Sequence, residues 1–226
     1  MMTFQHAADP ERCAAVVPAL NEALKIAAVV RGIVPFAVPI VVDDGSTDDT
    51  AQLAAAAGAI VVRHPRNLGY DAALQTGLFK AIELGCNYGI TLDGDGQHAP
   101  HTLSLFIEQL NAGADLVIGR REHSQRFAEA FFAWAGRCLW HIDDPLCGMK
   151  GYKLVHLARL GHFDAYRSIG TEFAIRAARS GLAIVNVPVP TTPRLGVSRF
   201  GSGWRPNLKI LRALWFGLYR ARRLEP

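Results

Sequence analysis

Asp93-Gly94-Asp95-Gly96-Gln97 follows the apolar run Tyr88–Leu92 and carries the clearest chemical signal in the chain. Side chains alternate along an extended segment, so Asp93, Asp95 and Gln97 would share one face while the glycines leave the other bare. Three oxygen-bearing side chains converging in this way suit a hard divalent cation such as Mg2+ or Mn2+. The glycines would let a ligand approach the backbone. Acidic turns bounded by glycine are also common on solvated surfaces, so the neighbouring motifs must carry part of the argument.

Several other groups could join such a site. Asp43-Asp44-Gly45-Ser46 ends an apolar run, and so does Pro18-Ala-Leu-Asn21-Glu22. Arg120 and Arg121, with Arg194 and Arg199 on a glycine-rich stretch, could grip phosphate, because a guanidinium matches phosphate with a two-pronged fork. A hydroxyl nucleophile would need a carboxylate to take its proton, and Asp143, Asp144 and Glu172 are the candidates. A phosphate monoester as nucleophile, with a second pKa near ~6, is already largely dianionic and needs no such base. His98 and His101 have no third ligand near them in sequence, so they do not suggest a zinc site.

The elements that must position these groups follow from the apolar pattern. Strands are expected at Arg12–Val17, Val38–Val42, Ala59–Arg63, Tyr88–Leu92 and Asp115–Ile118. Helices are expected at about Asn21–Ile33, Asp48–Ala57, Tyr70–Leu84 and Pro100–Asn111. Ser46 and Asp49 resemble a capping box, while Gly58 and Gly85 stand where left-handed helix ends are wanted. Strands apolar throughout and separated by helices predict a mostly parallel α/β sheet covered on both faces. Ligands of such sheets bind beyond the carboxyl ends of the strands, where these polar groups fall. After residue 120 the alternation weakens. A helix at Arg126–Trp140, a strand at Gly151–Leu154, a helix at Thr171–Ser180, a strand at Ala183–Val189 and a closing helix at Pro206–Arg222 are expected. No repeat or linker divides the 226 residues, so one domain is expected.

Taken together, Pro18-x-x-Asn21-Glu22, Asp43-Asp44-Gly45-Ser46-Thr47-Asp48-x-Thr50, Asn67-x-Gly69 and Asp93-x-Asp95-x-Gln97-His98 resemble the family 2 glycosyltransferases of the GT-A fold. Within that family the chain is most similar to the polyprenyl (dolichyl) phosphate sugar synthases. Asp144-Pro-x-x-Gly148-x-x-Gly151-Tyr152 and Arg194-x-Gly196-x-Ser198-Arg199 extend the match more weakly. The resemblance implies a Rossmann-like sheet and an inverting, metal-dependent transfer from a UDP- or GDP-sugar to a polyprenyl phosphate. It implies that Pro18, Glu22 and one of Asp43 or Asp44 hold base and ribose, within a nucleotide-binding set that includes Asn21, Gly45, Ser46, Gly69 and Asp93. Asp93, Asp95 and Gln97 would bind Mg2+ or Mn2+, and Asp95, Asp144, Arg194 and Arg199 would form the catalytic set. Residues 12–120 would then be the nucleotide-sugar half and 121–226 the acceptor half. A glycan hydroxyl as acceptor, and a nucleotide-sugar-binding protein without turnover, are the alternatives. A sugar nucleotidyltransferase is disfavoured, because no G-x-G-T-R-type loop follows the first strand.

Charge is unevenly placed. The chain carries a net +4, yet from Arg194 to Pro226 eight basic residues face Glu225 alone, leaving the body slightly acidic. The closing helix, with Trp204, Leu208, Leu211, Trp215 and Leu218 among basic residues, either packs into the core or meets an anionic membrane surface. No recognition module accompanies the basic tail, so nucleic acid is not an expected partner. The four cysteines form no C-x-x-C pair and read as reduced, buried thiols of a cytoplasmic protein, which the basic closing helix would bring to the inner membrane face. No signal peptide is evident, and no segment reaches the ~20 apolar residues that span a bilayer.

Overall fold

The computed structural model describes residues 13–93, 101–121, 127–163, 170–190 and 205–220. Asp95, Gln97, His98, Arg194, Arg199 and Trp204 lie outside the described residues. The elements run β1 (Cys13–Ala19), α1 (Ile26–Ile33), β2 (Val38–Asp43), α2 (Thr50–Ala56), β3 (Ile60–Arg63), α3 (Tyr70–Glu83), β4 (Tyr88–Thr91) and α4 (Thr102–Asn111). They continue with β5 (Leu116–Arg120), α5 (Phe127–Trp140), β6 (Lys150–Lys153), α6 (Leu154–Leu160), α7 (Glu172–Arg179), β7 (Ile184–Pro188) and α8 (Arg205–Tyr219).

Seven strands form one sheet in the order β3-β2-β1-β4-β6-β5-β7. All pairs are parallel except those of β6, which lies antiparallel between β4 and β5. The chain winds outward from β1 through β2 to β3 and then crosses to β4 on the other side of β1. The resulting crevice beyond the carboxyl ends of β1 and β4 is where ligands of open α/β sheets bind.

Strand alternation divides the core. Ala14, Val16 and Ile40 pack with α3, α5, α6, α7 and α8 on one face. Ala15, Val17 and Val41 pack with α1, α2 and α4 on the other. Tyr152 of β6 anchors the first layer, with its ring edge-on to Phe163 and Phe173 at centroid distances of 5.6 and 5.5 Å.

The structure corrects three expectations. Residues 21–25 form a turn and α1 starts only at Ile26, because Asn21 adopts a left-handed φ of 53° that no helix can continue. The capping box does not form: α2 begins at Thr50, and Ser46 instead accepts from Asn21 N. Of the four free cysteines, Cys13, Cys86 and Cys147 are buried, but Cys138 stands exposed on α5. Burial pushes the Cys147 thiol up to about 12, with the charge of Asp144 adding to it. No helix among the described residues is long and apolar enough to cross a membrane.

Candidate active site

The first two motifs are stitched to each other. Asn21 N donates to Ser46 Oγ at 2.9 Å, and Asn21 Oδ1 accepts from Thr47 N at 2.9 Å. Glu22 N donates to Thr50 Oγ1 at 2.8 Å, and Ala23 N to Asp48 Oδ2 at 3.2 Å. The Thr50 hydroxyl also bonds Asp48 and is the main reason that carboxyl lies below its ordinary range. Asn21, Ser46, Thr47, Asp48 and Thr50 thus fix the turn after β1 onto the turn after β2. Pro18, paired with Val42, brings the end of β1 alongside.

The two aspartates ending β2 have different surroundings. Asp44 Oδ1 accepts from Leu68 N at 2.8 Å and lies 2.7 Å from His64 Nδ1, while Oδ2 accepts from Gly69 N at 2.9 Å. His64 Nε2 lies 2.9 Å from Thr76 Oγ1, so the 64–69 loop is tied to β2 and α3 together. Asp43 is fully buried. Its Oδ1 accepts from Ser46 N at 3.0 Å, but its Oδ2 has no directed hydrogen bond, although Arg63 Nε lies 3.0 Å away. Gly45, at φ 81°, would place a Cβ 2.6 Å from the backbone carbon of Arg66, so only glycine lets the two loops meet. Gly45, Ser46, Thr47, Arg63, His64 and Pro65 line an open cleft of about 420 Å³ at these strand ends. A separate hollow of about 310 Å³, lined by Ile82, Asn87, Tyr88 and Lys153, lies at the amino end of β4, away from these groups.

Asp93 follows β4, with Leu92 N still donating to Val16 O. Tyr70 Oη, from the first residue of α3, donates to Asp93 Oδ1 at 3.3 Å. Burial and then the Asp93 charge push the Tyr70 phenol well above its ordinary value, so it stays a donor. A Cβ on Gly148 would sit 2.6 Å from Asp93 Oδ2, so the carboxylate occupies the space that Gly148 leaves. Thr91 Oγ1 holds that turn through Gly148 O at 2.8 Å, and the buried Lys150 Nζ holds it through Cys147 O at 2.8 Å. Burial lowers the Lys150 amine pKa, with opposing charges only partly offsetting it.

On the far side of the crevice, Arg121 forks onto Asp144, with Nε 2.7 Å from Oδ2 and Nη2 3.0 Å from Oδ1. Burial opposes the Arg121 charge, but the Asp144 hydrogen bonds and charge outweigh it and hold the guanidinium above its ordinary value. Arg120 pairs with Asp143 at 3.3 Å. Glu172 is buried and paired with Arg176 at 2.8 Å. All three candidate bases are therefore engaged by arginine.

The structure thus gathers Pro18, Asn21, Glu22, Asp43, Asp44, Gly45, Ser46, Gly69 and Asp93 at the carboxyl ends of β1, β2 and β4, with Asp144 across the crevice. Tyr70, His64 and Lys150 belong to the same neighbourhood but were not singled out from sequence. Lys150 alone left a readable trace, as a lone charge in the otherwise apolar run Cys147–Tyr152.

A mostly parallel sheet with acidic side chains at three neighbouring strand ends, beside the topological switch, defines an α/β domain of the GT-A type. The glycosyl transferase family 2 profile matches residues 14–144, and the chain belongs to that family. An uncharacterized glycosyltransferase of Mycobacterium bovis is 32% identical over 213 residues, spanning 88% of this chain and 94% of that one. The polyprenol monophosphomannose synthase of Mycolicibacterium smegmatis is 30% identical over 221 residues, spanning 84% of this chain and 81% of that one. Glucosyl-3-phosphoglycerate synthase from Mycobacterium tuberculosis, solved with Mn2+, UDP-glucose and phosphoglyceric acid, superposes with a TM-score of 0.71 at 23% identity. That superposition covers 92% of this chain and 79% of that one and establishes the shared fold.

Proposed function

We propose that this glycosyltransferase moves a sugar from a UDP- or GDP-sugar to a polyprenyl phosphate, with inversion, at the cytoplasmic face of a membrane it meets peripherally through α8. The observation that carries the acceptor is the arginine pairing of Asp143, Asp144 and Glu172, which leaves no candidate base uncommitted among them. A phosphate dianion needs none. A polyprenol monophosphomannose synthase and an undecaprenyl-phosphate mannosyltransferase among the relatives support the same reading.

In this mechanism residues 12–120 hold the donor and residues 121–226 the acceptor. Asp43, whose Oδ2 has acceptor capacity to spare, holds the nucleoside with Pro18 and Glu22, while Asp44 keeps the 64–69 loop in place. A phosphate oxygen of the acceptor attacks the anomeric carbon from the face opposite the diphosphate. The carbon–oxygen bond to the diphosphate breaks, and its electron pair leaves with the nucleotide. Arg194 and Arg199 orient the incoming phosphate, joined by Arg120 at the boundary of the two halves, and Asp144 serves the acceptor side by holding Arg121 in its fork.

The donor chemistry fits a divalent cation: the carboxylate of Asp93 is fixed by Tyr70 at the strand end, in space left by Gly148. Asp93, Asp95 and Gln97 would hold Mg2+ or Mn2+. Such an ion would supply positive charge to the departing diphosphate.

The test is transfer of radiolabelled sugar to polyprenyl phosphate. The expected result is lipid-borne product that Asp95→Asn abolishes. Label appearing only in oligosaccharide would overturn the acceptor assignment, and tight donor binding without transfer or hydrolysis would favour the non-catalytic reading. A thermal-shift panel of UDP- and GDP-sugars, with and without Mn2+, would identify the base.

A further inference from the structure

α8 is apolar on two faces. Ile210, Ala213, Leu214 and Gly217 are buried in the core, where Gly217 sits against Ile175 and Trp140. Leu208, Leu211, Trp215 and Leu218, the stripe noted from sequence, point outward instead. Core packing therefore does not explain that stripe. The neighbouring α5 repeats the arrangement: Ala128, Phe132 and Ala135 are buried, while Phe127, Phe131 and Trp134 stand 87%, 41% and 57% exposed at helical spacing. The Phe131 and Trp134 rings stack at 5.7 Å. Helices of a water-surrounded domain ordinarily show one apolar face. Two adjacent helices with an aromatic outer stripe each require a partner.

Two further observations identify that partner. The α5 stripe begins at the rim of the active site, since Glu129, two residues beyond Phe127, is buried 3.7 Å from Arg121. The outward-facing charge on these helices is positive, since Glu129 is buried and Arg137 is exposed. Glu129 is the only acidic residue of α5, while α8 and the residue after it carry Arg205, Lys209, Arg212 and Arg220 with no acid. A second copy of the chain would bring like charges together, which disfavours association. An anionic bilayer surface complements both the positive charge and the tryptophans, whose rings favour the interface between water and lipid.

We infer that α5 and α8 together form the membrane-docking surface, with Phe127, Phe131 and Trp134 entering the bilayer interface at the mouth of the active site. This inference rests on the proposed lipid-phosphate acceptor but uses a second helix that reading does not require. Docking there would deliver a headgroup to Arg120 and Arg121 while its chain stays in lipid.

Co-sedimentation of the full chain with phosphatidylcholine vesicles, with and without phosphatidylglycerol, tests it. Binding is expected to need the anionic lipid and to weaken with salt. Phe131→Ser with Trp134→Ser is expected to weaken it by about tenfold or more, from the lost aromatic insertion. Both side chains are exposed, so the melting temperature should not move. An environment-sensitive dye on Cys138, the chain's one exposed thiol and on the α5 stripe, should shift to the blue with anionic vesicles. Equal vesicle binding by the wild type and the double variant overturns the inference. So does a wild-type dimer in light scattering that the double variant loses, since the stripe would then be a self-interface. Vesicle binding as expected without transfer to any polyprenyl phosphate would refute the acceptor and leave the docking surface standing. Transfer to a short-chain, water-soluble polyprenyl phosphate without vesicle binding would do the reverse.

Discussion

Gly148 and Asp144 determine the site through what they permit and what they hold. A methyl group at 148 would meet Asp93 Oδ2 at 2.6 Å and Oδ1 at 2.9 Å, and the shortest way out is rotation of the carboxylate. Gly148→Ala should therefore change the melting temperature little but reduce sugar transfer by about 10–100-fold, the usual cost of misplacing a positioned group by an ångström. Wild-type transfer rates in that variant would show that the Asp93 position is not needed. Asp144 gives a sharper contrast. If it acted as a base, its loss would lower turnover by about 10²–10⁴-fold without affecting folding. Because it neutralises the largely buried Arg121, Asp144→Ala should instead cost about 2–4 kcal/mol of stability. The apparent KM for the acceptor should rise, and the shape of the pH–rate profile should stay unchanged. Arg121→Met with Asp144→Leu and Glu129→Gln should recover part of the stability, since removing the three neighbouring charges together leaves none of them stranded. Unchanged melting with collapsed turnover in Asp144→Ala would restore the role of base.

α3 joins the sheet to the site, because its cap Gly69 binds Asp44 and its first residue Tyr70 binds Asp93, while its middle lies on β1 and β2. Gly77 makes that contact possible. Helix propensity alone favours Gly77→Ala by about 1 kcal/mol. The added Cβ, however, would stand 2.3 Å from Val16 Cγ1 and 3.1 Å from Val42 Cγ2. Both valines are buried, with χ1 stiffened by β-branching, so neither can yield. Overpacking at about 1–3 kcal/mol outweighs the propensity gain, and Gly77→Ala should melt a few degrees lower, with weaker donor binding. A rise in melting temperature would refute this packing argument. The same contrast explains what could be read from sequence. Strands such as Val38–Val42 and Tyr88–Leu92 were legible because burial on both faces makes them apolar throughout, and their ends located Asp43 and Asp93. The antiparallel insertion of β6 was not legible, because its orientation follows from pairing Thr91 and Ile118 with Lys150 rather than from any local pattern. Helix α6, which continues directly from that strand, was missed for the same reason. The left-handed Asn21 escaped because its stabilising partners, Ser46 and Thr47, lie 25 and 26 residues away. The site was therefore legible as a set of strand ends, while the stitching between loops was not.

Across the whole molecule, strands β3, β2, β1 and β4 are joined to β6, β5 and β7, and Asp115 locks these last three strands together. Its carboxylate lies 2.9 Å from His156 Nε2 at Oδ1, 3.6 Å from Lys153 Nζ, and accepts from Ala183 N at 3.0 Å through Oδ2. Burial alone would raise its pKa, but the His156 hydrogen bond, the Ala183 amide and the two neighbouring charges reverse the effect and leave it below the ordinary carboxylate range. A carboxyl depressed in the folded state binds its proton more readily when unfolded. Its contribution is therefore complete above the ordinary value of ~4 and is lost as pH falls through the lower folded value. Asp115→Asn should reduce stability by about 1–2 kcal/mol at neutral pH, the scale of a charge-assisted hydrogen bond, and so lower the melting temperature by a few degrees. As the pH falls from 5 toward 3, the wild-type curve should descend toward that of the variant, because protonation removes from the wild type what the substitution has already removed. Melting curves measured in parallel over that range decide the point. A constant gap between the two proteins would mean that the carboxylate charge does not hold these strands, and that the amide of asparagine disturbs the Ala183 contact on steric grounds alone.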